Sequence, residues 1–204
     1  PPAIDFQDLV LLDKDASLRL VRALTEVGAV QITNVPKFGQ ARNRALENLA
    51  TCLEADKANP VIPIITMADG SIRMSTGGAT RKGLMEPMSH SCGEAAASLR
   101  SAITTATNQM FLAIDSVSAT SSKRPLMSPH YADWIDLVRS GEHLEHLHSY
   151  SSAPLPHSAF ELSPSALTPQ SPLALDFHVD SGLLIAMTTG YYVNFPSNQV
   201  NGLF

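Results

Sequence analysis

The sequence predicts an α+β protein in which helices dominate the first part of the chain and strands form most of the core. Apolar residues recur at helical spacing in three stretches, at 18–27, 41–53 and 96–117. Short β-branched or alternating stretches separate them and become prominent after residue 140. The 204 residues are 44% hydrophobic and 16% charged, which is typical of a globular chain long enough to bury a sizeable core.

The first 36 residues predict a strand, a helix and a second strand. Residues 3–6 form a short extended piece, and the apolar positions between Leu18 and Val27 follow at helical spacing. Gly28 occupies the position of a helix C-cap. Residues 29–33 then alternate like a buried strand, which the following Asn-Val-Pro ends.

The rest of the chain divides into helices, strands and two loops. Helical periodicity predicts three further helices, at 40–57, 92–117 and 131–138. Alternation and β-branched residues predict a hairpin and two later strand segments, at 61–74, 143–152 and 173–188. Stretches without periodicity predict loops at 75–90 and 153–172, and the second of these contains five prolines.

The charge pattern excludes two classes of partner. The formal charge is -5, and no run of lysine and arginine exceeds two residues, so neither nucleic acid nor an anionic membrane surface is expected to bind. No apolar stretch approaches the ~20 residues of a membrane span. No basic segment followed by an apolar run opens the chain, so no signal peptide is predicted. A cytoplasmic protein is expected, with its oligomeric state left open.

Cys52 and Cys92 are the only cysteines. Two cysteines 40 residues apart match neither a disulfide scaffold nor a zinc-ligand pattern. The sequence therefore predicts two free thiols in a reducing compartment.

The most informative short motif is a histidine and an aspartate two residues apart. His178 and Asp180 fall within a predicted strand, so their side chains are expected to leave the same face. One imidazole and one carboxylate supply two-thirds of the facial triad that holds non-haem iron(II). Gly182 follows at a point where the backbone would turn close to the metal. A motif this short is common by chance, so it predicts a ferrous iron site only together with the resemblance that the surrounding segments carry.

Four segments in chain order extend this motif into a family resemblance. They are PPAIDF…LVRALTEVGAVQITNVP at 1–36, LEHLHSYSSAP at 144–154, PLALDFHVDSGLLIAMTTG at 172–190 and NGLF at 201–204. Together they resemble the isopenicillin-N-synthase-like iron(II)/2-oxoglutarate dioxygenases. The resemblance implies a double-stranded β-helix (jelly-roll, cupin-like) core in residues 141–204, supported by an N-terminal α/β region in residues 1–140.

The resemblance also implies an activity and a set of site residues. His178 and Asp180 would be catalytic iron ligands, Tyr150 would lie near the 2-oxoglutarate carboxylate, and His148 occupies the position of a cosubstrate-contacting asparagine. The chain would use iron(II), 2-oxoglutarate and dioxygen to hydroxylate or desaturate a small organic substrate. On an extended strand, His146, His148 and Tyr150 are also expected to share one face.

The pattern departs from the family at its far end. No histidine follows His178 and no arginine follows Arg139, so the family's third iron ligand and its Arg-x-Ser are both missing. Residues 202–204 break off inside a predicted core strand, which favours a fragment whose later strands lie elsewhere. The alternative is a truncated, inactive double-stranded β-helix protein that acts as a binding module.

Two further alternatives stay open. An oxidase of the same fold would need no 2-oxoglutarate. His143, His146 and His148 could instead form a separate zinc site, although such sites need three or four correctly spaced ligands.

Overall fold

A computed structural model describes seven parts of the chain: residues 1–55, 64–67, 71–81, 84–85, 90–118, 131–151 and 182–190. Helices and strands are mixed in these parts, and the strands form one two-stranded and one four-stranded sheet. The predicted mixture of helix and strand is confirmed. Neither sheet closes into a barrel within these ranges. None of their helices is both long and apolar enough to cross a membrane.

The N-terminal unit contains two strands and two helices: β1 (Ala3–Asp5), α1 (Phe6–Val10), α2 (Lys14–Arg22) and β2 (Gln31–Thr33). α2 continues through a wider helical turn at Ala23–Val27, and Gly28 ends it with a left-handed φ of 76° that favours glycine. β1 and β2 pair in parallel, with Ile4 opposite Ile32. The predicted order of strand, helix, glycine and strand is confirmed. Periodicity does not predict α1 because five residues are too few to show it.

Three more helices lie among the described residues: α3 (Phe38–Ala55), α4 (His90–Ser118) and α5 (Trp134–Ser140). All three confirm predicted helices. The second half of α4 packs against the N-terminal unit and α5. Buried residues of these elements form the first core cluster: Ile4, Leu9, Ala16, Leu20, Met110, Phe111, Ala113, Ile114 and Ile135.

α5 is attached to α4 by hydrogen bonds as well as by packing. The Asp115 carboxylate of α4 accepts hydrogen bonds from the backbone N–H groups of Trp134 and Ile135, at 3.1 and 2.9 Å. These N–H groups belong to the first turn of α5, where a helix has no internal acceptors for them. The Trp134 ring also lies 6.3 Å from that of Phe111. Helix α5 is thereby placed just before the strand that carries the candidate site.

The second sheet contains four strands: β3 (Ile64–Thr66), β4 (Ile72–Arg81), β5 (Leu84–Met85) and β6 (His143–Ser151). β4 is central and pairs antiparallel with the other three. The predicted hairpin and the predicted strand at 143–152 are confirmed. The loop predicted at 75–90 is wrong for residues 75–81, which continue β4, and for residues 84–85, which form β5. Residues 82–83 and 86–89 of that loop lie outside the described residues. Pairing with the distant β6 outweighs the weak strand preference of Gly77-Gly78.

The predicted strand segment at 173–188 falls partly within the described residues. Residues 182–190 have no regular secondary structure, so the predicted strand is wrong for 183–188. No described strand lies beside them to complete a ladder. Arg42 of α3 attaches this segment by donating hydrogen bonds to the carbonyl oxygens of Thr189, at 2.9 and 3.1 Å, and Gly190. The predicted strand residues 173–181 and most of the predicted loop at 153–172 lie outside the described residues.

The prediction of free thiols is wrong. Cys52 near the end of α3 and Cys92 near the start of α4 form a disulfide, with their Cα atoms 5.2 Å apart. Both residues are buried in the second core cluster, which also contains Leu49, Leu53 and Met74. Sequence spacing could not reveal this pairing, because it depends on how α3 packs against α4. Because the two cysteines are paired, they no longer support the expectation of a reducing compartment.

The predicted division of the chain at residue 140 stays a prediction. β6 follows that boundary and pairs along its whole length with β4, which precedes it. The four-stranded sheet therefore draws strands from both proposed regions.

Candidate functional site

The predicted iron ligands His178 and Asp180 lie outside the described residues, and their role stays a prediction. Gly182, two residues after Asp180, has a φ of 153°, which L-residues rarely adopt. A Cβ atom at this position would have no neighbour within 4 Å, so the conformation and not crowding favours glycine. The two predicted cosubstrate contacts, His148 and Tyr150, both lie on β6.

The two faces of β6 have different surroundings. Glu145, Leu147 and Ser149 are half-buried and point towards the helices. Leu147 packs against the second core cluster, and the Glu145 carboxylate accepts a 2.6 Å charged hydrogen bond from the Arg100 guanidinium of α4. Because side chains alternate along a strand, these anchored residues turn the intervening residues away from the helices.

The opposite side of β4 and β6 forms what we call the outer face. Its six members occupy three cross-strand pairs: Arg73 with Tyr150, Ser75 with His148, and Gly77 with His146. The rings of His146 and His148 are 5.7 Å apart and those of His148 and Tyr150 6.3 Å apart, both edge to face. The prediction that these three side chains share one face is confirmed. The sequence did not identify Arg73 and Ser75, because their position opposite β6 depends on the strand register.

His148 is positioned by a cross-strand hydrogen bond. Its Nδ1 atom lies 2.7 Å from the Ser75 hydroxyl oxygen, so its Nε2 atom is left for a ligand. Although the side chain is largely exposed, the surrounding protein removes water from this edge of the ring. That desolvation lowers the pKa of His148, and the positive charges of Arg73 and His146 lower it further. The neutral imidazole is favoured as a result.

Arg73 carries a buried polar atom on the outer face. Its Nε atom is buried and has no hydrogen-bond partner. None of the six residues of the outer face is acidic. The face therefore presents a guanidinium, two imidazoles and a phenol, a set rich in hydrogen-bond donors.

The alternative zinc site is not assembled. His143 lies on the helix-facing side of β6, whereas His146 and His148 lie on the outer face. The His143 ring nitrogen Nε2 is 2.5 Å from the carbonyl oxygen of Val138 and donates to it. Within the ranges that the structure describes, no three His, Cys, Asp or Glu side chains converge as metal ligands. The strand conformation separates the three histidines because it alternates their faces.

Gly77 gives His146 its place on the outer face. A Cβ atom at residue 77 would lie 2.9 Å from the backbone oxygen of Glu145 and 2.9 Å from the His146 ring. Only a residue without a side chain lets β4 and β6 approach this closely. The His146 ring therefore lies directly over the Gly77 backbone.

Gly77→Ala is expected to lower the free energy of unfolding by about 1–3 kcal/mol, because the added methyl group meets a backbone atom that cannot move aside alone. Chemical denaturation measures the loss, and the His146 ring resonances should shift at the same time. Gly39→Ala on α3 is the matched control, since a Cβ there meets nothing within 4 Å. Equal stability of the two variants would contradict the close approach at Gly77.

Comparison of the chain with protein-family models, with curated proteins and with solved structures found no match in any of the three. The family resemblance therefore rests on the four sequence segments alone.

Proposed function

We propose that the chain is an iron(II)- and 2-oxoglutarate-dependent oxygenase with a double-stranded β-helix core, which hydroxylates or desaturates a small organic substrate. The observation that carries the proposal is the outer face. It brings Tyr150 and His148, the two residues that match cosubstrate contacts of the resembled family, side by side on one strand. Both side chains are exposed and can meet a ligand.

The donor groups of the outer face suit the cosubstrate. A carboxylate only accepts hydrogen bonds, and the Tyr150 hydroxyl and the Arg73 guanidinium can donate them. The Ser75 hydroxyl holds the His148 ring from behind, which fixes the ring's orientation towards a bound ligand. These residues would bind and orient 2-oxoglutarate by one of its carboxylates.

The imidazole of His178 and the carboxylate of Asp180 would hold the metal. Iron(II) accepts this combination of nitrogen and oxygen ligands and leaves coordination positions for a cosubstrate. When bound, iron(II) and 2-oxoglutarate supply the oxidative decarboxylation that drives substrate oxidation by dioxygen. The protein's contribution is to place the substrate and to keep water away from it.

Anaerobic titration with iron(II) and 2-oxoglutarate tests the proposal. We expect a weak visible charge-transfer band in the wild-type protein and no band in His178→Ala or Asp180→Ala, because each substitution removes one of the two metal ligands. His143→Ala is the matched control on the opposite side of β6 and should retain the band. Succinate release measured against substrate loss separates a 2-oxoglutarate-dependent enzyme from an oxidase.

Absence of the band in a wild-type protein with intact circular dichroism would refute the proposal. That result would favour the alternative, an inactive double-stranded β-helix protein that acts as a binding module.

A further inference from the structure

We infer that residues 183–187, which we call the apolar segment, form a contact between two copies of this chain. The two copies would pair their apolar segments as antiparallel strands about a two-fold axis. This contact goes beyond the proposed function and depends on neither iron nor 2-oxoglutarate. Its basis is the exposure of the segment, the charge pattern around it, its order of side chains and its attachment to α3.

The apolar segment exposes large hydrophobic side chains next to one another. Four of its five residues are of this kind, and their exposed fractions are high: Leu183 62%, Leu184 42%, Ile185 55% and Met187 69%. Contiguous apolar surface marks a binding site, whereas single exposed leucines are common on any protein. The segment pairs with no described strand, so no described ladder uses its backbone N–H and C=O groups. Both the side chains and the backbone therefore suit a strand partner.

The charge pattern favours a second copy as that partner. No charged side chain and no histidine follows Asp180 in the sequence, whereas the chain as a whole carries a formal charge of -5. Identical chains repel each other where their charged surfaces approach, so they can meet most easily on an uncharged surface. A partner recognised by charge would find no complementary group on the apolar segment. A second copy presents the same apolar surface, and pairing removes both surfaces from water.

The order of side chains suits self-pairing about Ile185. In a two-fold antiparallel pair centred there, Leu183 lies opposite Met187 of the second copy, and each Ile185 lies opposite its counterpart. Because side chains alternate along a strand, these three residues share one face, and the pair joins six large apolar groups. A centre at Leu184 would instead place Met187 opposite Ser181 and leave it without an apolar neighbour.

Arg42 anchors the apolar segment to α3. Its guanidinium donates hydrogen bonds to the carbonyl oxygens of Thr189, at 2.9 and 3.1 Å, and of Gly190, so the chain is fixed directly after the segment. The guanidinium also donates to the Asn43 side chain at 2.9 Å, which holds it in place. An anchored segment loses less conformational entropy on binding than a free one. The anchor therefore favours pairing of a segment that is short.

Sedimentation equilibrium over a range of protein concentrations tests the inference. Five residues from each copy bury less area than a standard interface, so we expect a monomer–dimer equilibrium with a Kd of roughly 1–100 µM. Ile185→Lys should weaken dimerisation at least about tenfold, because two positive charges then meet at the centre of the contact. Leu11→Lys is the matched control and should dimerise like the wild type, since Leu11 is also 69% exposed but ends α1.

A mixture of charge variants tests the register. Ile185→Glu alone should be as weakly dimeric as Ile185→Lys. An equimolar mixture of the two should recover the dimer, because opposite charges meet only where residue 185 faces its counterpart. Arg42→Gln leaves the apolar segment unchanged and should weaken dimerisation by releasing its anchor, so it tests the contact even where a variant of Ile185 fails to fold. Circular dichroism checks the fold of each variant.

Four results would overturn the inference. They are a monomeric wild type up to about 1 mM, association beyond the dimer, unchanged dimerisation of folded Ile185→Lys, and a mixture that dimerises no better than its components. A monomeric wild type would mean that a different protein or another part of the chain covers the apolar segment. The iron charge-transfer band is measured independently of the oligomeric state, so failure of this inference and failure of the proposed function are distinguishable.

Discussion

Removal of the Cys52–Cys92 disulfide is expected to lower the free energy of unfolding by about 4 kcal/mol. The bridge joins residues separated by 40 positions and so restricts the unfolded chain over a long loop. For a chain of this length the loss corresponds to a fall of roughly 8–16 °C in Tm. Thermal unfolding of the Cys52→Ala/Cys92→Ala double variant beside the wild type measures it.

Reductant supplies the control for this experiment. It should lower the Tm of the wild type towards that of the double variant and leave the double variant unchanged. The chain contains no other cysteine, so thiol titration of the unfolded, non-reduced protein should find no free thiol. Two titrated thiols and a Tm insensitive to reductant would contradict the bridge and restore the sequence prediction.

The disulfide also supports the candidate site from behind. Met74 of β4 is buried in the same cluster as the two cysteines, and Leu147 of β6 packs against that cluster. These residues alternate with Arg73, Ser75, His146 and His148 along the two strands. Packing of Met74 and Leu147 against the helices therefore also fixes the orientation of the side chains on the outer face.

Features that depend on local sequence could be predicted. The periodicity of α3 and α4 extends over many turns, so it identified both helices. Gly28 is predictable as a helix end because the left-handed conformation that ends the helix favours glycine at that one position, whatever the helix packs against.

Features that depend on distant partners could not be predicted. Most of β4 was missed because Gly77-Gly78 has little strand preference, and its partner β6 is far away in the chain. The same register brings Arg73 beside Tyr150, so the guanidinium had no visible role in the sequence. The alternation of side chains along β6 is predictable from the sequence, and it places His146, His148 and Tyr150 on one face.

Periodicity also overstated the buried face of α2. Leu18 and Leu20 both belong to the apolar pattern of this helix. Leu20 is fully buried in the first core cluster, whereas Leu18 is 45% exposed. The helical repeat alone could not show that only one of the two side chains faces α4 and the N-terminal strands.

Leu20→Ala is therefore expected to lower the free energy of unfolding by about 2–5 kcal/mol. The substitution removes a fully buried side chain and leaves a cavity among neighbours such as Leu9 and Phe111, which belong to packed helices and cannot fully collapse into it. Leu18→Ala, the same change two residues earlier on the same helix, should change stability by no more than about 0.5 kcal/mol because its side chain already meets water. Denaturant unfolding should show a lower midpoint for Leu20→Ala at an unchanged slope, since the surface exposed on unfolding stays nearly the same. A larger loss in Leu18→Ala than in Leu20→Ala would mean that α2 is rotated about its axis, and the packing of the N-terminal unit against α4 would have to be reassigned.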